Sequence, residues 1–346
     1  MAFMRLAAVL VGVVAASLAT PAAAWNRSPA TQFATLPAKT AHPEGITADA
    51  SGTLYVADFD VSGNTPVGNI VVFDRNGRWL RTLQVTNGSA LLLGIAFNPV
   101  SGDLLVCDLG NSQVLRVDPQ TGASSVFTTI PGGGGPNALA FDTAGNVYIS
   151  DSFQKTIWRA PVGGAANPVP WVVDDLLATD GFPGFGANGI AFNNAQSALF
   201  VANTGNDTVV RIPLPSGPSG TPGKPEVFVN SINGADGLII DANDNVWVAA
   251  NQADEIVVVN PAGRAIAKLG DFDGIDQQGA PVGLLFPASL VMVGNFIYVT
   301  NLSLDLEHAF KTPPAVDSAW AAKVKRHTIA RIHAKVPPIR EPSDLP

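Results

Sequence analysis

Cysteine is almost missing from this chain: Cys107 is the only one among 346 residues. An intrachain disulfide is therefore excluded, whatever the redox compartment. Cys107 lies inside an apolar run, where burial rather than reactivity is expected. Basic residues are also in deficit, 20 Lys and Arg against 28 Asp and Glu, giving a formal charge of −8. That balance argues against nucleic acid and against an anionic membrane surface as partners. Long apolar runs are missing beyond the N-terminus. No later stretch approaches the roughly 18 apolar residues of a spanning helix, so no membrane insertion is expected.

The N-terminus is the exception. Arg5 marks a short basic region, Leu6–Leu18 is an apolar run, and Ala22-Ala23-Ala24 offers a cleavage site before Trp25. Residues 1–24 are expected to be a secretory signal, with cleavage after Ala24 and a secreted or periplasmic product. The mature chain, 25–346, is expected to be one domain; without Arg5 its formal charge is −9 (−8 minus +1). Glycine and proline are abundant, 34 and 27 residues, but they fall between apolar runs, which is turn usage rather than low complexity.

What the chain does have is one line repeated about every 50 residues. It reads residue-Gly-apolar-x-apolar-Asp/Asn, a turn, then a run of β-formers ending in Asp or Asn. The copies are Glu44–Asp58, Leu93–Asp108, Asn137–Asp151, Asn188–Asn203, Asp236–Asn251 and Ser289–Asn301. Each is followed by a third β run, such as NIVVFD from Asn69 or DTVVRI from Asp207. All but the last have a fourth, such as WLRTLQV or PEVFVNS. Four short antiparallel strands per repeat, in six repeats, predict an all-β, six-bladed β-propeller. The last repeat lacks a fourth strand. TQFATLP (Thr31–Pro37) has the apolar spacing of SSVFTTI and is expected to be the outer strand of the last blade, closing the ring.

In such a ring the first strand of each blade lines the channel, and its opening residue faces the mouth. The six opening residues are Glu44, Leu93, Asn137, Asn188, Asp236 and Ser289. Glu44, Asn137, Asn188 and Asp236 bring two carboxylates and two amide carbonyls, a set that suits Ca²⁺, with water or substrate completing the shell. Two carboxylates balance one divalent charge. The absence of His and Cys from these positions argues against zinc or copper. Taken singly, Asn-Gly, Asp-Gly and Glu-Gly are also ordinary turn chemistry.

A second column, Asp58, Asp108, Asp151, Asn203, Asn251 and Asn301, is uniform across the blades and is expected to cap loops. Irregular stretches at Phe59–Gly68, Pro161–Ala187, Asp271–Ala288 and Leu302–Arg326 are expected to crowd the mouth. His42 and His308 are candidate mouth residues; His327 and His333 are expected at the surface.

The opening motifs resemble the senescence-marker-protein/gluconolactonase/luciferin-regenerating-enzyme (regucalcin-like) family. The residues concerned are HPEGI at Glu44, GPNALAFD at Asn137, ANGIAFN at Asn188 and, most fully, ADGLIIDANDNVWVA at Asp236. The resemblance implies a six-bladed propeller with one divalent cation held by Glu44, Asn137, Asn188 and Asp236, the last also serving as base or nucleophile. Two positions depart from the family's sugar lactonases. Gly135 stands where those carry Arg, and no Trp follows Glu44-Gly45. Strings such as GNVYISDS also resemble NHL repeats. The expected function is a secreted, calcium-dependent hydrolase of a small-molecule lactone, ester or related electrophile. Ser289, His308 and Leu93 would then shape the substrate pocket. A non-catalytic NHL-like binding propeller for a protein or polymer, or a lyase or isomerase on the same scaffold, are the alternatives.

Overall fold

A computed structural model describes residues 28–311 and 317–336; the leader assigned to residues 1–24 lies outside the described residues. Six four-stranded antiparallel sheets follow one another around an axis. Their inner strands are His42–Ala48, Leu92–Phe97, Pro136–Phe141, Ala187–Phe192, Ala235–Ile240 and Pro287–Val293. Each lies against the next, and Pro287–Val293 lies against His42–Ala48, so the ring is closed. The chain is a six-bladed β-propeller.

Burial along each blade follows from this packing. Both faces of a blade are covered by neighbouring blades, so the middle strands must be apolar on both sides. Leu54–Phe59 and Asn69–Phe73 are buried at every residue, whereas the outer strand Trp79–Gln84 is mostly exposed. Cys107 lies in such a middle strand, fully buried, and burial pushes its thiol pKa up. In the first five blades the turns between first and second strands are set by the Asp or Asn that ends the first run. Asp142 Oδ1, for example, accepts from the Ala144 and Asn146 backbones, while Gly145 takes φ +80°.

The closing strand lies where expected. Thr31–Thr35 pairs antiparallel with Thr328–His333, placing Thr31 opposite Arg331 and Thr35 opposite Thr328. The last blade therefore joins the two ends of the described chain in the order Thr31–Thr35, Thr328–His333, Phe296–Asn301, Pro287–Val293.

The stretches expected to be irregular are more ordered than that. Pro161–Ala187 contains the outer strand Val169–Val173 of blade 3. Only its second half reaches the mouth; the part before that strand turns at the opposite face. Asp271–Ala288 holds a two-stranded ribbon, Phe272–Ile275 with Pro281–Gly283. Leu302–Arg326 carries two short helices, Leu306–Phe310 and Ser318–Ala321. Among the described residues no helix is long and apolar enough to cross a membrane.

Candidate functional site

Every inner strand begins with the same irregularity. In blade 1 Pro43 pairs with Asp58 and Ile46 with Val56, so the inner strand spends one residue more than its partner. The same extra residue occurs between Leu92 and Ile95, Pro136 and Leu139, Ala187 and Ile190, Ala235 and Leu238, and Pro287 and Leu290. Such a bulge breaks the pleat and re-aims a side chain. The re-aimed residues are Glu44, Leu93, Asn137, Asn188 and Asp236, all buried and all lining one pocket on the axis.

The bulge also explains the glycine that follows. A Cβ at Gly189 would lie 2.5 Å from Asp236 O, and one at Gly237 2.7 Å from Ala288 O. Gly45 and Gly94 are crossed the same way by Leu93 O and Asn137 O. Each bulge glycine thus receives the carbonyl of the next blade's opening residue. This register corrects the last blade: Ala288, not Ser289, is the opening residue, and Ser289 occupies the glycine's position. Ser289 donates its backbone N–H to Thr300 Oγ1 at 2.9 Å and lines the channel on the far side of the ring, not the pocket. The register also moves the strand-end column of blade 5, where Ala250 rather than Asn251 pairs with Ala235. Elsewhere that column ties connections to the sheet. Asp58 Oδ1 accepts from Ala41 N, Asp151 Oδ1 from Gly135 N, and Asn301 Oδ1 from Leu285 N.

The residue after that column matters more to the site. Ser152 Oγ donates to Ala187 O at 2.8 Å and receives Asn137 Nδ2 at 3.0 Å. Thr204 Oγ1 donates to Ala235 O at 2.8 Å and receives Asn188 Nδ2 at 2.9 Å. A hydroxyl has one proton. With that proton spent on the next blade's carbonyl, each hydroxyl can only accept from the amide. One hydrogen of each amide nitrogen is thereby fixed on a hydroxyl, and the carbonyl oxygens are the ends left to serve as ligands. Asn251, the equivalent residue of blade 5, donates Nδ2 to Asp236 Oδ2 at 3.0 Å. Ser152, Thr204 and Asn251 were not anticipated as site residues; the only available signal was the Ser, Thr or Asn directly after a strand-ending residue.

The electrostatics are those of a site short of positive charge. Glu44 and Asp236 are 4% and 5% exposed. Burial, then the Asp236 charge, push the Glu44 carboxyl well above the usual carboxylate range. Burial raises Asp236 to about 7, against hydrogen bonds from Asn251 and Asn188 that pull it down. Two carboxylates buried together resist ionising together. Glu44 Oε2, Asp236 Oδ1 and Asn251 Oδ1 are buried without a hydrogen-bond partner, and such orphaned acceptors are costly. A divalent cation answers the carboxylate pair: it neutralises both charges and supplies a partner for Glu44 Oε2 and Asp236 Oδ1. The residues fit it. Among the described residues no group of three or more His, Cys, Asp or Glu is gathered anywhere, so a ligand set here must include amides.

The space between these groups is about 40 Å³, enough for an ion and a water or two. Its roof is apolar. Blades 1 and 2 contribute Phe59 and Leu93, the connection before blade 4 Pro183 and Phe185, and the last blade's flanks Phe286, Leu302, Leu304, Leu306 and Phe310. His308 belongs to the same short helix as Leu306 and Phe310 but is exposed and absent from the lining. Its backbone N–H caps on Asp305 Oδ1 at 3.2 Å. His42 is also outside the lining. Its Nδ1 lies 2.9 Å from Leu302 O, and its ring stacks edge-on against His327, centroids 4.5 Å apart. His327 is therefore half-buried rather than a surface residue, and burial holds its pKa down at about 3.

Fold and pocket define a class: a six-bladed propeller with a buried, axial, oxygen-only site under an apolar roof. Comparison with known proteins narrows it. The family model of the SMP-30/Gluconolactonase/LRE-like region matches residues 183–270, the segment that holds Asn188, Thr204, Asp236 and Asn251. The whole ring is similar to a calcium-binding protein, regucalcin, from Agrobacterium tumefaciens (TM-score 0.58, 16% identity, 90% of this chain and 98% of that one). It is also similar to a gluconolactonase from Xanthomonas campestris (TM-score 0.57, 15% identity, 80% and 95%). A third similar structure is virginiamycin B lyase from Staphylococcus aureus (TM-score 0.52, 14% identity, 86% and 97%). At these identities the shared property is the fold. No curated protein matches the chain.

Proposed function

We propose that this chain is a divalent-cation-dependent hydrolase of a small lactone, ester or related electrophile, with Ca²⁺ the ion its donors suit. The observation that carries the reading is the pair of orphaned, buried carboxylate oxygens, Glu44 Oε2 and Asp236 Oδ1, in a space of ionic size. Glu44, Asn137, Asn188 and Asp236 would hold the cation. When bound, it supplies Lewis-acid polarisation of the reacting oxygen and acidifies water. The chain's own residues do the rest. Ser152 and Thr204 hold the two amides so that their carbonyl oxygens are left to serve as ligands. Asn251 anchors Asp236 through Oδ2, leaving Oδ1 to take the proton of an attacking water or to attack directly. The apolar roof keeps bulk water from this charge. Residues 1–24, read as a leader, would deliver the enzyme outside the cytoplasm, which cell fractionation tests.

The test is metal analysis of purified protein, followed by a screen of lactones, aryl esters and phosphotriesters with and without chelator. Absence of bound or bindable metal, with no chelator-sensitive turnover, would sink the reading. A non-catalytic propeller is the second reading, favoured by how little room the closed pocket leaves. It predicts that Ca²⁺ raises the melting temperature while the whole screen stays silent.

A further inference from the structure

The floor of the pocket is polar and its upper wall is not. None of the lining residues is Lys, Arg or His, and every polar one (Glu44, Asn137, Asn188, Thr204, Asp236, Asn251) sits at or beneath the axial ring. Above them a ligand meets Phe185, Phe286, Leu302, Leu304, Leu306 and Phe310. An aromatic row leads outward from this wall. Phe310 lies 6.1 Å from Phe185, which lies 5.4 Å from Phe153, measured between ring centroids. Phe153 covers Gly135 so closely that a Cβ there would come within 2.5 Å of its ring, so any larger residue at that position would have to displace Phe153. Phe153 and Phe310 are 53% and 39% exposed. Large aromatics left in water around the opening of a buried site mark a surface that something apolar covers.

We propose that the site takes a small oxygen-bearing head group carrying an apolar body, such as an alkyl- or aryl-substituted lactone or ester, and discriminates against polyhydroxylated lactones. This inference rests on the hydrolase reading above. The space of about 40 Å³ admits the ion and the reacting oxygens of the head group beside the carboxylates and amides, so the rest of the ligand lies outward, past Phe310 and Phe185 toward Phe153. A sugar lactone placed there would set several hydroxyls against a wall with no donor or acceptor to meet them, and each buried unpaired hydroxyl weakens binding.

The test uses full-length protein with saturating Ca²⁺ and inert lactams as probes. A series of γ-lactams with lengthening alkyl chains is compared with glucono-δ-lactam by calorimetry, and the matching lactones are assayed for turnover. The expected result is a dissociation constant falling about fourfold per methylene that the wall buries, with glucono-δ-lactam weakest. Phe185→Ser and Phe310→Ser should flatten that dependence, and Phe310→Leu should restore most of it. Chain-length-dependent lactam binding without lactone turnover supports this ligand class and removes the hydrolase reading. Lactone turnover with glucono-δ-lactam bound as tightly as the alkyl series removes the ligand class and leaves the hydrolase reading standing. Lactam binding with no chain-length dependence also overturns the proposal.

Discussion

Asp236 is assigned two tasks and Asn188 one, which makes the two residues separable. Asp236→Asn keeps an oxygen donor but loses the basic group. It should retain part of the metal affinity while the rate on a screened substrate falls by about 10²–10⁴-fold, the usual worth of a general base. Asn188→Ala removes only a ligand, so excess Ca²⁺ should rescue much of its rate. Near wild-type turnover by metal-loaded Asp236→Asn would reject the base assignment. The raised pKa values of the two buried carboxyls, Glu44 and Asp236, fix a pH dependence. Without cation, the folded state holds a proton that the unfolded chain releases near pH 4, so between about pH 4 and 7 the folded state is the more protonated. Metal-free stability therefore falls as pH rises through that window, the Asp236 part ending near its value of about 7 and the raised Glu44 adding in the same direction. Cation binding requires the ionised forms, so Ca²⁺ affinity rises across the same window and levels off above it. The melting-temperature gain from Ca²⁺ over EDTA should be largest above pH 7 and shrink toward pH 5. At about 100 times the dissociation constant the gain corresponds to roughly 2.7 kcal/mol. A gain that is equal at pH 5 and pH 8 would contradict the carboxylate site.

At the scale of the element, the bulge decides what could and could not be foreseen. Glu44, Leu93, Asn137, Asn188 and Asp236 were legible because each precedes a recurring pattern, and four of the five carry it with Gly45, Gly94, Gly189 or Gly237. Residue type plus period was enough to gather them. The last blade broke the pattern. Without a bulge glycine, Ser289 looked like the opening residue, whereas the register opposite Asn301 gives that place to Ala288. The same one-residue ambiguity exchanged Asn251 for Ala250. A bulge adds a residue with no compositional mark of its own, so alignment by pattern can slip by one residue, as it did at Ser289, where the glycine is replaced, and at Asn251, in a blade that keeps Gly237. The hydroxyl relay was illegible for another reason: Ser152 and Thr204 act across blades, on Ala187 O and Ala235 O, and contacts between repeats leave no trace within one. The relay is testable by Thr204→Val, which keeps shape and removes the hydroxyl. Ala235 O and Asn188 Nδ2 then lose their partner, at a cost of about 1–3 kcal/mol each when left unpaired. Urea melts should show that loss in EDTA, and Ca²⁺ affinity should drop as well because the amide is free to flip. Unchanged melting and unchanged affinity together would show that the hydroxyl orients nothing.

For the whole molecule the question is closure. A ring of blades is stable only if every blade face is covered, and the last blade is built from both ends of the described chain. Period and strand count were enough to foresee this, because five repeats had a fourth run, the sixth had none, and Thr31–Pro37 had nowhere else to go. The structure adds the reason closure matters energetically. Ala34 and Leu36 are buried in a cluster with Ile46, Leu54, Val56, Val71, Tyr298 and Ile329, which is the seam between the last blade and the first. Phe33 stacks edge-on against Tyr298 at 4.6 Å, and Leu36 donates its N–H to His327 O at 2.9 Å. Starting the mature chain after Pro37 would strip these contacts and leave Thr328–His333 as an unpaired edge, open to another chain. The expected outcome is a lower melting temperature, loss of a single cooperative transition, and concentration-dependent aggregation. Because a deletion can fail for trivial reasons, Ala34→Asp supplies the milder probe. It keeps the strand but sets a charge in the seam, where an unpaired buried carboxylate is strongly unfavourable, and should destabilise by several kcal/mol. The site itself lies on the axis, and of its strands the seam cluster includes His42–Ala48, which carries Glu44, through Ile46. If closure supports the site, Ala34→Asp should also weaken Ca²⁺ binding at temperatures where the ring is still folded. Calorimetric titration well below the melting transition measures this. A truncated chain that melts cooperatively at the full-length temperature would show instead that the ring holds without its clasp.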